Sequence, residues 1–517
     1  MNERDKKYAL FCPECRFLLN VSGMSFTDAD IAALEPKFTA AHRGMLDIEA
    51  GEIKNPDENR KVTHFTDRAE YLAGSLFAEV KAFADAVAQG EIKSASGKKF
   101  TQAVINGIGG SALGPQLLQF ALNGPYWNEL TDAKRNGYLK IYFLDNTDPA
   151  GINDLLTVMD IETTLVVTIS KSGGTQETKN NLDALESVFA QAKVELARQS
   201  VVITMNGSSL HKYAESRNYL KIFEMAESIG GRTSETSVVG HLPAALTGID
   251  FAAFLRGAGK MDAWTREQSI LANPAYLLAA MWYIAGNGKG DRNMVIVPYA
   301  DRLVLLSRYL QQLVMESLGK EFDLDGKPVY QGLTVYGNKG GTDAHAFIQQ
   351  LNDGRDDFFI TFVEILKDAR RIELPGAITM GDYLHGFLEG LSAALESKDR
   401  QVIRIAMEEL NPAAMGMLIA LYERAVAVYA ELININAFHQ PGVQAYKLAA
   451  KGMLDLRATL FAKLNELKPV RGSACELASK LGVAEKSAEV GGILAKAAAN
   501  GELEVEYENG KAIYALR

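Results

Sequence analysis

The stretch Thr163–Ala197, TTLVVTISKSGGTQETKNNLDALESVFAQAKVELA, decides how the chain is read. It opens on a compact apolar run, TTLVVTIS, with no polar alternation. It then crosses a glycine and hydroxyl loop, SKSGGTQET, and continues into the helix-like LDALESVFAQAKVELA. A strand without alternation is buried on both faces, and helices on both faces of a sheet accompany parallel pairing. Working outward, the same unit recurs: FTQAVINGIGGSALG (Phe100–Gly114), YLKIYFLDN (Tyr138–Asn146) and QSVVITMNG (Gln199–Gly207) each place an apolar run before a loop. The fold class expected is therefore α/β with mostly parallel sheets. A second set follows a helical bridge near residues 243–285: RNMVIVPYA, GLTVYG and DFFITFVEI read as strands, and RLVLLSRYLQQLVMESLG as one long helix.

The division expected is a helical, connecting N-terminal segment over 1–54, α/β domains over 55–240 and 270–450 with a linker over 241–269, and a small module over 467–517. That module offers two short helices and a hairpin turning at Asn509-Gly510, a loosely winged-helix pattern. Residues 471–517 carry six Lys or Arg and seven Glu, so packing or assembly is expected of it rather than DNA binding. The whole chain has 517 residues and a formal charge of -10, which disfavours nucleic acid or an anionic membrane as a partner. Three cysteines cannot staple a chain of this length. Cys12 and Cys15 form the only CxxC, read as incidental thiols before a redox pair or half a metal site. The N-terminus MNERDKKYALF lacks a signal-peptide apolar core, and the apolar run Pro274–Gly286 is too short to span a bilayer. A cytoplasmic protein is expected.

Two loops carry the first chemistry. NGIGGS (Asn106–Ser111) stands where a strand meets a helix, where glycine admits close backbone approach and free N–H groups favour an anion. Alone the signal is weak, because many α/β proteins turn on glycine for steric reasons. It is not a dinucleotide fingerprint: Ala112 occupies the last glycine position, and Asp145 lies too far along. No Walker lysine precedes Ser111. The second loop supplies Ser170, Lys171, Ser172 and Thr175 around Gly173-Gly174, donors suited to a phosphate monoester or, more blandly, a hydroxyl-rich helix cap. Two such loops on consecutive crossovers, with no nucleotide motif, favour a small phosphorylated ligand. Arg232 follows a third glycine pair in IGGRTSETSVVG.

The blocks GIGGSALGP, SKSGGTQET, GGRTSETSVVG, QQLVMESLGK, YGNKGGTDAHAF and FHQPGVQAYK, in this order over residues 105–450, resemble the glucose-6-phosphate isomerase family, particularly its shorter bacterial type. The resemblance implies two sugar-isomerase (SIS) type domains and a homodimer with sites at domain and subunit junctions. It implies reversible conversion of D-glucose 6-phosphate to D-fructose 6-phosphate, in glycolysis and gluconeogenesis, with no cofactor and no metal. Carried over block by block, Gly110, Ser111 and the Ser170–Thr175 loop bind phosphate, with Lys171, Ser172 and Thr175 at family positions. Glu316 matches the base that moves a proton between C1 and C2, and Arg232 the arginine that stabilises the enediolate. His345 and Lys447 match ring-opening residues, while Gln312 and Gln440 match positions lining the site. Four positions depart from the general signatures: Leu318, Ala344, His439 and Gln444.

The chemistry is coherent without the likeness. One carboxylate can take the C2 proton and return it to C1 through a planar cis-enediolate, whose developing charge a fixed arginine stabilises. Metal-assisted isomerisation is the competing mechanism, and no convincing ligand spacing supports it. A broader isomerase that also takes mannose 6-phosphate, and a non-catalytic phosphosugar sensor, are the other readings.

Overall fold

The computed structural model describes residues 3–516, apart from the side chains of Gln444 and Ala445. Two compact units are present, one up to His439 and one from Gln440 onward.

In the first unit a five-stranded sheet runs in the order Lys140–Leu144, Gln102–Asn106, Thr164–Ile169, Ser200–Thr204, Lys221–Glu224, every pair parallel. Its inner strands are buried on both faces, and their side chains divide with a period of two. Ala103, Ile105, Leu165, Val167, Val201 and Ile203 pack on one side with Val80, Phe83 and Val87 of helix Ser75–Gln89 and Val239 and Leu242 of helix Val238–Leu246. Val104, Val166 and Val202 pack on the other with Leu182, Leu185 and Phe189 of helix Gln176–Gln191. That is why these strands read as unbroken apolar runs.

The second sheet has six strands in the order Ala9–Cys12, Phe17–Gly23, Gln401–Met407, Phe358–Ile365, Asn293–Tyr299, Val335–Tyr336. The last four are mutually parallel, but Phe17–Gly23 pairs antiparallel with Gln401–Met407, and Ala9–Cys12 antiparallel with Phe17–Gly23. The helical, connecting reading of residues 1–54 is corrected here for residues 9–23. Phe17, Leu19 and Val21 alternate inward, where they join the core beneath helices Asp28–Glu49 and Pro274–Ala285. Helix Pro412–Leu432 fills that core. By length and composition it could cross a membrane, yet 94% of its most apolar window is buried inside the protein. Asn411 caps it, accepting from the Ala414 N–H at 2.9 Å, with Pro412 in the first turn.

One long helix over 302–319 was expected. The structure instead breaks the run into a 3-10 turn Asp301–Leu303, an α segment Leu306–Leu310 and a π-helical segment Gln311–Glu316.

The second unit holds helix Pro441–Glu466, helices Ala474–Lys480 and Ser487–Ala499, and a hairpin Glu504–Glu508/Lys511–Leu516. Asn509 and Gly510 turn the hairpin, both at positive φ. Strand Val470–Ser473 adds to it, making three strands rather than two. Leu460, Leu464, Leu477, Val490, Leu494 and Tyr514 form its own core.

Candidate functional site

The order of the five-stranded sheet creates the crevice. The chain leaves strand Gln102–Asn106 toward one edge, to Lys140–Leu144, and returns to the opposite side as Thr164–Ile169. Loops leaving the carboxyl ends of these two adjacent strands diverge, and ligands of open α/β sheets bind at such a reversal. The loops concerned are Gly107–Ser111 and Ser170–Thr175. They begin in contact, since a Cβ on Gly107 would lie 3.3 Å from the Ile169 carbonyl.

The first loop closes a 3-10 turn over Gly109–Ser111, with the Ser111 N–H donating to the Ile108 carbonyl at 3.2 Å. Gly110 backs onto the chain at Gly231: a Cβ at 110 would lie 1.8 Å from the Gly231 carbonyl oxygen. The Ser234 hydroxyl lies between the Gly110 and Gly231 carbonyls, at 3.2 and 2.8 Å. Gln312 reaches the same loop, its Nε2 3.0 Å from where a Cβ on Gly109 would be.

In the second loop Ser170 is buried, its hydroxyl 3.3 Å from that of Thr175. Gly173 takes φ +72°, and a Cβ there would strike the Leu210 backbone nitrogen. The Ser172 hydroxyl accepts from the Gly174 N–H at 3.2 Å. Thr175 precedes the sixteen-residue helix Gln176–Gln191 without using its side chain to cap it, so the loop sits at a helix start whose dipole favours an anion. The Lys171 ammonium donates to the Glu227 and Ile229 carbonyls at 2.5 and 2.9 Å, stitching this loop to the segment that leads into Arg232. Burial pushes its pKa down to about 8.

Arg232 is buried and fully engaged. Its guanidinium lies 3.2 Å from Glu316 Oε1 and donates to the Ala437 and His439 carbonyls at 2.8 and 3.3 Å. Burial lowers its pKa from the ordinary arginine value, but a guanidinium stays protonated. Glu316 ends the π-helical segment, where the wider turn re-aims its side chain relative to a plain α-helix. Its side chain keeps 23% of its surface accessible, so the carboxylate is tethered yet reachable. Lys320, which the sequence reading left unassigned, is buried, donating from Nζ to the Glu316 and Ser317 carbonyls at 2.8 Å each. Burial, with the Arg232 charge beside it, lowers its pKa to about 7.

Further donors hold the chain segments that flank Arg232 and its carbonyl partners. Arg60 donates to the Phe438 and Ser228 carbonyls at 3.1 and 2.9 Å, and Asn55 Nδ2 to Phe438 at 3.1 Å. Glu235, one turn beyond Arg232, is wholly buried against Gly114 and Gly240, with no hydrogen-bond partner among the described residues. Burial raises its pKa well above the usual carboxylate range. The only sequence signal for Lys320 and Glu235 was their place inside the blocks QQLVMESLGK and GGRTSETSVVG.

His345 is exposed, at the end of a 3-10 turn Thr342–His345. That turn is pinned by buried Asp343, which accepts from the Asn338 and Lys339 N–H groups at 2.8 and 3.1 Å. Gln440 precedes helix Pro441–Glu466 in the second unit, and Lys447 is exposed on that helix.

The phosphoglucose isomerase family model matches residues 33–384 and 391–462. The chain belongs to the phosphoglucose isomerase family. Within that family, the glucose-6-phosphate isomerase of Trichormus variabilis is 45% identical over 511 residues, covering 96% of this chain and 95% of that protein. The chloroplastic glucose-6-phosphate isomerase 1 of Arabidopsis thaliana is 46% identical over 469 residues, covering 88% and 75%. The crystal structure of a glucose-6-phosphate isomerase from Chlamydia trachomatis superposes with a TM-score of 0.79 at 27% identity, covering 89% of this chain and 92% of that one. For a phosphoglucose isomerase, the expected fold class, paired α/β sheets with a small C-terminal helix and hairpin module, holds. Three corrections apply: the antiparallel N-terminal strands, the broken helix over 302–319 and the third strand of the module.

Proposed function

We propose that this chain interconverts D-glucose 6-phosphate and D-fructose 6-phosphate by a single-carboxylate proton transfer at Glu316, an early step of glycolysis that also serves gluconeogenesis. The observation that carries the assignment of roles is the Arg232–Glu316 pair at 3.2 Å, set beside the two glycine loops through the Gly110–Gly231 contact. The substrate phosphate is held by Ser111 and by the hydroxyls of Ser170, Ser172 and Thr175 at the start of helix Gln176–Gln191; Gln312 and Gln440 are assigned to the sugar on the matching blocks alone. Lys171 orders the loop through the carbonyls it engages and adds a positive charge behind it.

With phosphate anchored there, the far end of the open-chain sugar meets the pair. Glu316 removes the proton on C2 and, from the same face, returns it to C1. Negative charge that develops on the C1 and C2 oxygens is stabilised by Arg232, which also donates to the Ala437 and His439 carbonyls and is held by them without reorganisation. His345 and Lys447 are assigned to ring opening on the matching blocks alone. An exposed His345 suits a site completed across a subunit junction, which makes a homodimer the working assembly. We place the activity in the cytoplasm, where three free thiols are stable.

The test is fructose 6-phosphate formation by the purified protein, with and without EDTA, beside Glu316→Gln. Turnover insensitive to EDTA and a fall of at least ~10²-fold in the variant are expected. Near-parent activity in Glu316→Gln would overturn the assignment of the base, and abolition by EDTA would require the metal route.

A further inference from the structure

Two thiols that the isomerisation does not use share one turn. The hairpin Ala9–Cys12/Phe17–Gly23 reverses through Pro13, Glu14, Cys15 and Arg16, and Cys12 pairs with Phe17 across its base. The Cys15 N–H donates to the Cys12 carbonyl at 3.3 Å, and Arg16 follows at φ 50°. Cys12 and Cys15 are thus the first and fourth residues of a β-turn, with proline in the second position that such turns favour. The first and fourth Cα atoms of a β-turn lie within about 7 Å, and a disulfide spans about 4.4–6.8 Å between Cα atoms. Both thiols are free and partly exposed, and their side chains interact with each other. Cys15 lines a surface cleft with Arg16, Lys260 and Glu408, so a small reagent can reach the turn.

We propose that Cys12 and Cys15 form a reversible intramolecular disulfide by exchange with a small-molecule disulfide, making the hairpin turn a thiol–disulfide site. In the first step the Cys12 thiolate attacks the reagent, forming a mixed disulfide and releasing one small thiol. Cys15 then loses its proton and attacks Sγ of Cys12, breaking the mixed disulfide and releasing the second thiol. Two cysteines are oxidised and one small disulfide is reduced to two thiols, so electrons and protons balance. The order follows from the setting. Cys15 packs against the core, and burial with Cys12 beside it pushes its pKa up to about 12, so Cys12 enters first. Neither cysteine belongs to the register that joins Phe17–Gly23 to Gln401–Met407, so the bond closes without opening that pairing.

The test uses the reduced full-length protein with glutathione disulfide as the probe. After acid quenching, the protein is denatured and alkylated with N-ethylmaleimide, and its intact mass is read. The reduced chain, with its three cysteines, takes three adducts. Oxidised chain is expected to take one, mapped by peptide analysis to Cys475, and dithiothreitol is expected to restore all three. Cys475→Ser should fall from two adducts to none without gaining glutathione mass, whereas Cys12→Ser and Cys15→Ser should lose an adduct only by gaining one glutathione for each. Three adducts persisting in excess glutathione disulfide would overturn the proposal. So would a doubled mass showing a bond between chains, or a Cys12→Ser protein that behaves as the parent does.

Discussion

Substituting Gly110 by alanine tests the contact on which the active-site geometry depends. A Cβ at Gly110 would stand 1.8 Å from the Gly231 carbonyl oxygen, 2.2 Å from its carbon and 2.8 Å from its Cα, all backbone atoms that cannot rotate away. Ordinary contact begins near 3.4 Å, so the two loops must part by about 1.6 Å. Arg232 follows Gly231 directly and moves with it relative to Ser111. Misplacing reacting groups by about 1 Å costs on the order of 10²-fold in rate, and forcing an extra carbon into a packed contact costs about 1–3 kcal/mol. Gly110→Ala should therefore lower kcat/KM ~10²-fold and shift the urea midpoint downward. Gly231→Ala is the matched control: nothing lies within 4 Å of its Cβ position, so its urea midpoint should equal the parent's. Both variants can be followed in a coupled assay in the fructose-to-glucose direction. A Gly110→Ala enzyme with kcat/KM within about threefold of the parent and an unmoved midpoint would refute the backbone contact and the positioning argument built on it.

Arg232→Lys should lower kcat by ~10²–10³-fold with a much smaller change in KM, because an ammonium cannot span Glu316 and the Ala437 and His439 carbonyls as the planar fork does; steady-state kinetics at saturating substrate decide it. Glu235→Gln should change how stability responds to pH. The native carboxyl holds its proton while the unfolded chain releases it near pH 4.5, so this group's stabilisation is complete below that pH and is lost as pH rises toward the raised native value. The advantage of Glu235→Gln over the parent, from urea unfolding, should grow by up to ~1.4 kcal/mol per pH unit through that window. A constant difference from pH 5 to 8 would mean that the native carboxyl is ionised.

What could be read before the structure, and what could not, divides along physical lines. The strands at 102–106, 164–169 and 200–204 were legible because burial on both faces removes polar alternation. The strand Phe17–Gly23 was not, because its inward residues are recognisable only beside Gln401–Met407, which lies far along the chain. The π segment at Gln311–Glu316 escaped for a different reason: over so few residues its apolar spacing is that of an α-helix. Loop chemistry pointed to a small phosphorylated ligand, while the pairing of Arg232 with Glu316 needed the fold to bring residues 84 positions apart together. Lys320 and Glu235 look like ordinary surface charges in one dimension. Only the packing of Arg232, Gly114 and Gly240 around them makes them buried groups. His345 and Lys447 rested on likeness to known blocks, and their exposure in the chain adds no local reason to single them out.

The N-terminal hairpin also sets an order of events during synthesis. Strand Phe17–Gly23 is made well before the partner that completes its ladder, Gln401–Met407, which follows roughly 380 residues later. At about 5–20 residues per second, the interval is ~20–75 s. Throughout it, the edge of Phe17–Gly23 that pairs with Gln401–Met407 lacks its partner, while the five-stranded sheet, all of whose strands lie between residues 102 and 224, can already close. The nascent chain thus carries an open β edge throughout that interval. Slowing elongation lengthens that exposure in direct proportion, and a chaperone that shields extended apolar segments would find a binding site in this strand.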